Sequence, residues 1–147
     1  MDEKIVEQLK LLHKYLQYLD DLSRKSKDEF LKDVIMQGAC ERYLQLAIES
    51  SLNIGSRIIA LEAGKSNISA PESYADIFLK LGELGILSPE FALNLTAMAR
   101  FRNRLVHAYW DVDPEIIYKI LQEDRREIHE FKDKIIKYLN TARQERK

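Results

Sequence analysis

Apolar residues in this chain recur at intervals of three and four far more often than at two, and that regularity confines the fold to helices packed by their stripes. Ile5, Leu9, Leu12, Leu16 and Leu19 step by four, three, four and three, with Glu7, Lys10, Lys14 and Asp20 among the positions off the stripe. Only five glycines and three prolines punctuate the sequence, so the pattern predicts an all-α protein. The first helix is expected to stop near Ser23 to Ser26. A longer pattern runs from about Asp28 to Ala63 through Leu31, Ile35, Ala39, Leu46, Ile58 and Ile59, with Gly64 as its terminator and Gly55 marking a bend or a close helix contact. Ser69, Pro71 and Glu72 carry the next start signal, a serine cap with a glutamate three residues on. That helix should hold Tyr74 to Leu81 and end at Gly82 or Gly85. Ser88–Pro89 and Asp113–Pro114 repeat the cap-then-proline signal. The first opens a helix striped by Phe91, Leu95, Met98 and Leu105; the second opens one striped by Ile117, Leu121, Ile128, Phe131, Ile135 and Leu139. With no repeat and no long linker, the chain reads as one domain over residues 1–147, a bundle of about five helices whose last residues, 139–147, fray.

A hydrophobic share of 46% over 147 residues suffices for one core without a disulfide or metal staple. The only cysteine, Cys40, excludes an intramolecular disulfide and a multi-cysteine zinc site, and reads as a small buried apolar residue. Lys and Arg number 23 against 24 Asp and Glu, a net charge of -1, so no global field advertises nucleic acid and any anion site must be local. The opening MDEKIVEQLK carries acids where a secretory signal carries only bases. No stretch approaches the ~18 apolar residues that span a bilayer. A cytoplasmic protein without membrane contact is the expectation.

No glycine loop for phosphates, no histidine pair at zinc-ligand spacing and no GxSxG elbow occurs, so neither a metal nor a cofactor is expected. His13 and His129 sit beside Lys14 and Glu130 and read as surface residues. The unusual segment is RFRNRLVHAY, Arg100 to Tyr109: three arginines, an asparagine, a histidine and a tyrosine with no acid among them. On a helix Asn103 and His107 are i and i+4, so the amide can fix the imidazole. The long stem of Arg102 can swing its guanidinium beside the ring, and the pair can grip one phosphate. Such a pair suits RNA cleavage, the imidazole taking the proton of a ribose 2′-hydroxyl and the arginine stabilising charge on the phosphate. On the spacing alone a structural or surface role is the commoner reading, and Arg100 and Arg104 are more often a solvated face than contacts to RNA phosphates. Phe101 and Trp110 read as packing residues rather than stacking platforms for bases. Glu49 can pair with Arg102 or Arg104 in the folded chain.

The string FRNRLVHAYWDVD resembles the Arg-x4-His-x-Tyr signature of the HepT toxins, helical RNases of the HEPN superfamily, with Arg102, His107 and Tyr109 at the motif positions and a polar Asn103 after the arginine. ACERYLQLAIESSLNIGSRIIA and PESYADIFLKLGELGIL resemble upstream helical segments of the family, so the resemblance covers about residues 5 to 140. It implies a homodimer in which two motifs face one cleft and cut RNA without a metal. It also implies a partner, a small nucleotidyltransferase of the MNT type that neutralises the toxin by transferring AMP to the motif tyrosine, here Tyr109. On this reading Arg102 holds the scissile phosphate, His107 moves the proton and Asn103 orients it. The rival reading is a non-catalytic HEPN module whose cationic cleft binds a nucleotide or the nucleotidyltransferase.

Overall fold

The structure, a computed structural model, describes residues 2–107 and 112–145, and the side chain of His107 lies outside that description. Six helices form among the described residues: α1 (Glu3–Ser23), α2 (Lys27–Leu31), α3 (Val34–Glu62), α4 (Tyr74–Glu83), α5 (Pro89–His107) and α6 (Pro114–Glu145). The all-α expectation is met, with one helix more than foreseen. The periodic run expected to be one helix from Asp28 to Ala63 is broken at Lys32 and Asp33, because the Asp33 carboxylate accepts the Met36 N–H at 3.0 Å and starts α3 afresh. The carboxamide of Gln37 donates to the Phe30 carbonyl at 2.9 Å, beside the Asp33 N–H that already reaches it at 3.3 Å, and ties the start of α3 to the end of α2.

The other starts are capped by short polar side chains. Asp2 accepts from Ile5 N–H at 3.1 Å, and Ser88 accepts from Phe91 N–H at 3.1 Å, immediately before Pro89 as its sequence signal implies. The cap of α4 lies four residues beyond the expected one: Ser73 accepts from Asp76 N–H, while the Ser69 hydroxyl takes a hydrogen bond from Lys80 Nζ at 2.8 Å. After α4 the chain turns at Gly85, whose φ of +77° lies in the left-handed region that side chains avoid.

α1 packs along α3, α4 pairs with α5, and α6 lies against α1, α2 and α3. One cluster of buried apolar side chains draws on all six helices, with Leu12, Phe30, Leu44, Phe78, Leu95 and Phe131 fully enclosed. Phe78 and Phe131 meet edge to face at 5.7 Å between ring centres. Gly55 lets α4 approach α3 closely: a Cβ there would stand 2.6 Å from Ile77 Cγ2 and 3.1 Å from Leu81 Cδ1. That close crossing carries Tyr74, on the first turn of α4, toward the faces of α3 and α5 that hold Glu49 and Arg102. Among the described residues no helix is long and apolar enough to cross a membrane.

Candidate active site

Phe101 is buried, as a packing residue should be, and it locks α5 into the core. One position on, Arg102 reaches α3 and meets Glu49. Glu49 Oε1 accepts from Arg102 Nε at 3.2 Å and from its terminal NH2 at 3.0 Å. The same oxygen accepts from Gln45 Nε2 at 3.1 Å, one turn earlier on α3. Three donors on one oxygen hold the carboxylate in place, and it in turn holds the arginine. The side chains are only 17% and 29% exposed, so the pair is less screened than a surface bridge.

On its other sides the guanidinium meets an amide and a ring. NH1 donates to Asn103 Oδ1 at 3.3 Å, and the guanidinium carbon lies 5.0 Å from the centre of the Tyr74 ring. A guanidinium has five N–H bonds. Glu49 and Asn103 take three, leaving two without an acceptor among the described residues. Two N–H groups of one rigid plane are what a phosphate accepts in bidentate fashion.

The segment that looks like an unneutralised cationic patch in sequence is therefore divided in space. Arg102 is paired with Glu49, the first of the two partners foreseen for that carboxylate. Arg100 and Arg104, one turn apart, share an exposed face roughly 200° around the helix from Arg102. No ion pair of either is found among the described residues. Asn103 lies against Arg102; its expected contact with His107, along with Tyr109 and Trp110, falls outside the described residues. Gln45 and Tyr74 were not foreseen as members of the site. Among the described residues no group of three or more His, Cys, Asp or Glu is gathered closely enough to ligate a metal ion.

A family model described as "Ribonuclease HepT-like" matches residues 7–135. The chain belongs to the HepT-like ribonuclease family. It is 31% identical over 138 residues to a tRNA nuclease HepT of Aphanizomenon flos-aquae, covering 93% of this chain and 90% of that protein. An mRNA nuclease HepT of Shewanella oneidensis is 24% identical over 107 residues, 73% of this chain and 77% of that one. The fold is also that of the tri-AMPylated Shewanella oneidensis HEPN toxin solved in complex with its MNT antitoxin, with a TM-score of 0.80 at 21% identity over 94% of this chain and 99% of the toxin. The HepT-like segment thus spans α1 to most of α6, including every residue that touches Arg102.

Proposed function

We propose that this HepT-like chain is the ribonuclease toxin of a toxin-antitoxin pair, working in the cytoplasm as a metal-independent homodimer and silenced when an MNT-type nucleotidyltransferase adenylylates Tyr109. The observation that carries the reading is Arg102, oriented by Glu49 with two N–H groups free, five residues before His107 in a chain of this family. Arg102 receives the scissile phosphate. His107 takes the proton of the 2′-hydroxyl, the 2′-oxygen attacks phosphorus, and the P–O5′ bond breaks, the 5′-oxygen taking a proton from solvent to leave a 5′-hydroxyl and a 2′,3′-cyclic phosphate. Asn103 steadies the guanidinium through its oxygen and lies one turn before His107, where its amide can orient the ring. Arg100 and Arg104 contact phosphates farther along the strand. Support for the silencing step comes from the AMPylated toxin of the same fold and from the position of Tyr109, two residues beyond His107. An AMP group there adds a charge that the arginines attract and a bulk that the substrate backbone must clear.

Total RNA suits the assay, because the two HepT relatives are named for different RNA classes. Purified protein should cleave it equally with and without EDTA and leave cyclic phosphate ends. Incubation with the partner and ATP should add AMP masses at Tyr109 and abolish cleavage. No cleavage by the unmodified dimer would leave the non-catalytic reading, and loss of cleavage in EDTA would remove metal independence.

A further inference from the structure

Tyr74 joins two features: an exposed ring and the Arg102 guanidinium against it. Phe30, Phe78 and Phe131 are fully enclosed, and the partly exposed Tyr18 packs on Tyr43 at 4.7 Å between ring centres. Tyr74 is 46% exposed, and its ring neighbour is the guanidinium of Arg102 at 5.0 Å. Its hydroxyl has no hydrogen bond among the described residues. What holds the ring is the backbone. The Ser73 hydroxyl accepts from Asp76 N–H at 3.1 Å, and the Asp76 carboxylate accepts from Glu72 N–H at 2.9 Å, fixing the entry to α4 from both sides.

We propose that Tyr74 is the platform on which a base of the RNA stacks beside the scissile phosphate. The inference rests on the reading that Arg102 grips that phosphate. A phosphate on the two free N–H groups of Arg102 brings its own nucleotide within one nucleotide's reach of the ring. Single-stranded RNA offers unstacked bases, and proteins capture them on exposed aromatic faces. The neighbouring aromatic on α5, Phe101, is only 6% exposed and cannot serve. The other groups around Arg102, Glu49, Gln45 and Asn103, are polar and offer a base no π surface. Stacking of this kind accepts any base, so Tyr74 would set the strength of substrate capture and favour unpaired over paired RNA without reading sequence.

The test uses the full-length dimer and a short single-stranded RNA whose cleavage site has been mapped, prepared either intact or with an abasic nucleotide on one side of that site. Wild-type protein should lose about 5- to 100-fold in kcat/KM on one of the abasic substrates, chiefly through KM. Tyr74→Leu should cut the intact RNA at the abasic level and make no distinction between the two, and Tyr74→Phe should restore the distinction. In an uncleavable 2′-deoxy analogue, 2-aminopurine at the same position should be quenched by wild type and Tyr74→Phe but not by Tyr74→Leu. Equal slowing of intact and abasic substrates by Tyr74→Leu would mean that the ring only packs Arg102, and would overturn the proposal. So would a wild type indifferent to abasic sites on both sides. A wild type that cuts no RNA would remove the ribonuclease reading itself, and the stacking role with it.

Discussion

The bundle contains two places where a carboxylate on one helix holds an arginine on another, with a histidine close behind that arginine in sequence. On one side, Asp20 of α1 accepts from Arg125 NH1 at 3.1 Å and lies 2.9 Å from His129 Nε2, so a single carboxylate takes both partners from α6. On the other, Glu49 of α3 takes Arg102 together with Gln45 of its own helix, and the tyrosine ring lies against the guanidinium. Both arginine side chains are 17% exposed, but Arg125 Nε is buried without an acceptor among the described residues, whereas Arg102 Nε is satisfied by Glu49. The same three residue types thus make a strap between helices in one place and a docking point for an anion in the other. What separates them is not composition but the neighbours: the strap's carboxylate takes a histidine as well as its arginine, whereas Arg102 has an exposed tyrosine ring against its plane.

The largest effects should fall on opposite sides of that divide. His107→Ala is expected to lower RNA cleavage by about 10²- to 10⁴-fold, the usual contribution of a positioned acid or base. Arg102→Lys should fail to a similar degree, since an ammonium cannot present two coplanar N–H groups to one phosphate. His129→Gln, at the strap, should leave the rate within about twofold of wild type. Initial rates on one labelled RNA decide the matter. If cleavage survives both motif substitutions, or falls with His129→Gln, the two clusters have been assigned the wrong way round.

Next in size is a stability effect confined to the strap. Asp20→Ala takes the carboxylate from both Arg125 and His129 and should cost about 2 kcal/mol, short of the loss at a fully buried pair because Asp20 is 27% exposed. Denaturant unfolding measures it, and cleavage per folded molecule should not change. An unfolding free energy equal to wild type would show that the bridge contributes nothing.

Helix positions were legible in the sequence because the signals that set them are local. The stripe of α1 and the Ser88–Pro89 start are where the spacing puts them. The break between α2 and α3 was hidden because Leu31 and Ile35 keep the apolar step of four across it, while what ends the helix is one carboxylate turning to Met36 N–H. Ser69 and Glu72 satisfy the spacing of a capping box as well as Ser73 and Asp76 do; tertiary contacts give Ser69 to Lys80 instead. The site was half legible. Arg102 and His107 share a helix, so their relation survives in the order of residues, and Glu49 was foreseen only as one candidate partner. Glu49 is 53 residues from Arg102 and Tyr74 is on a third helix. No local pattern says that the Gly55 crossing brings them together.

Glu49 offers a finer test of the docking point. Glu49→Gln keeps an acceptor oxygen but loses the charge, and the guanidinium should wander, lowering kcat/KM by about tenfold, the worth of one charge-assisted hydrogen bond. The loss should appear with folding intact, as read by circular dichroism and unfolding midpoint. Faster cleavage would have a different meaning. It would show the carboxylate competing with the phosphate for Arg102 and restraining the enzyme rather than preparing it.

The smallest effect concerns the residue next to the strap, where a carboxylate lacks what Asp20 has. Asp124 immediately precedes Arg125 on α6, but burial, with Glu127 and Glu123 adding in the same direction, lifts its carboxyl to about 7. A folded-state value above the unfolded one means that the folded chain binds the extra proton between about pH 4 and pH 7. Stability therefore falls as pH rises through that window and stays lowered above it, the reverse of an acid held down by a cation. Asp124→Asn removes the titration while keeping the shape. The full linkage is about 4 kcal/mol at its upper bound, and partial solvent screening reduces the expected gain to about 1 kcal/mol at pH 8. For a chain of this length that is a rise of roughly 2–4 °C in Tm at pH 8, shrinking to nothing near pH 4. Thermal melts of wild type and Asp124→Asn across that range should converge toward acid. Parallel curves would mean that Asp124 is ionised normally and that solvent reaches this stretch of α6 more freely than its packing implies.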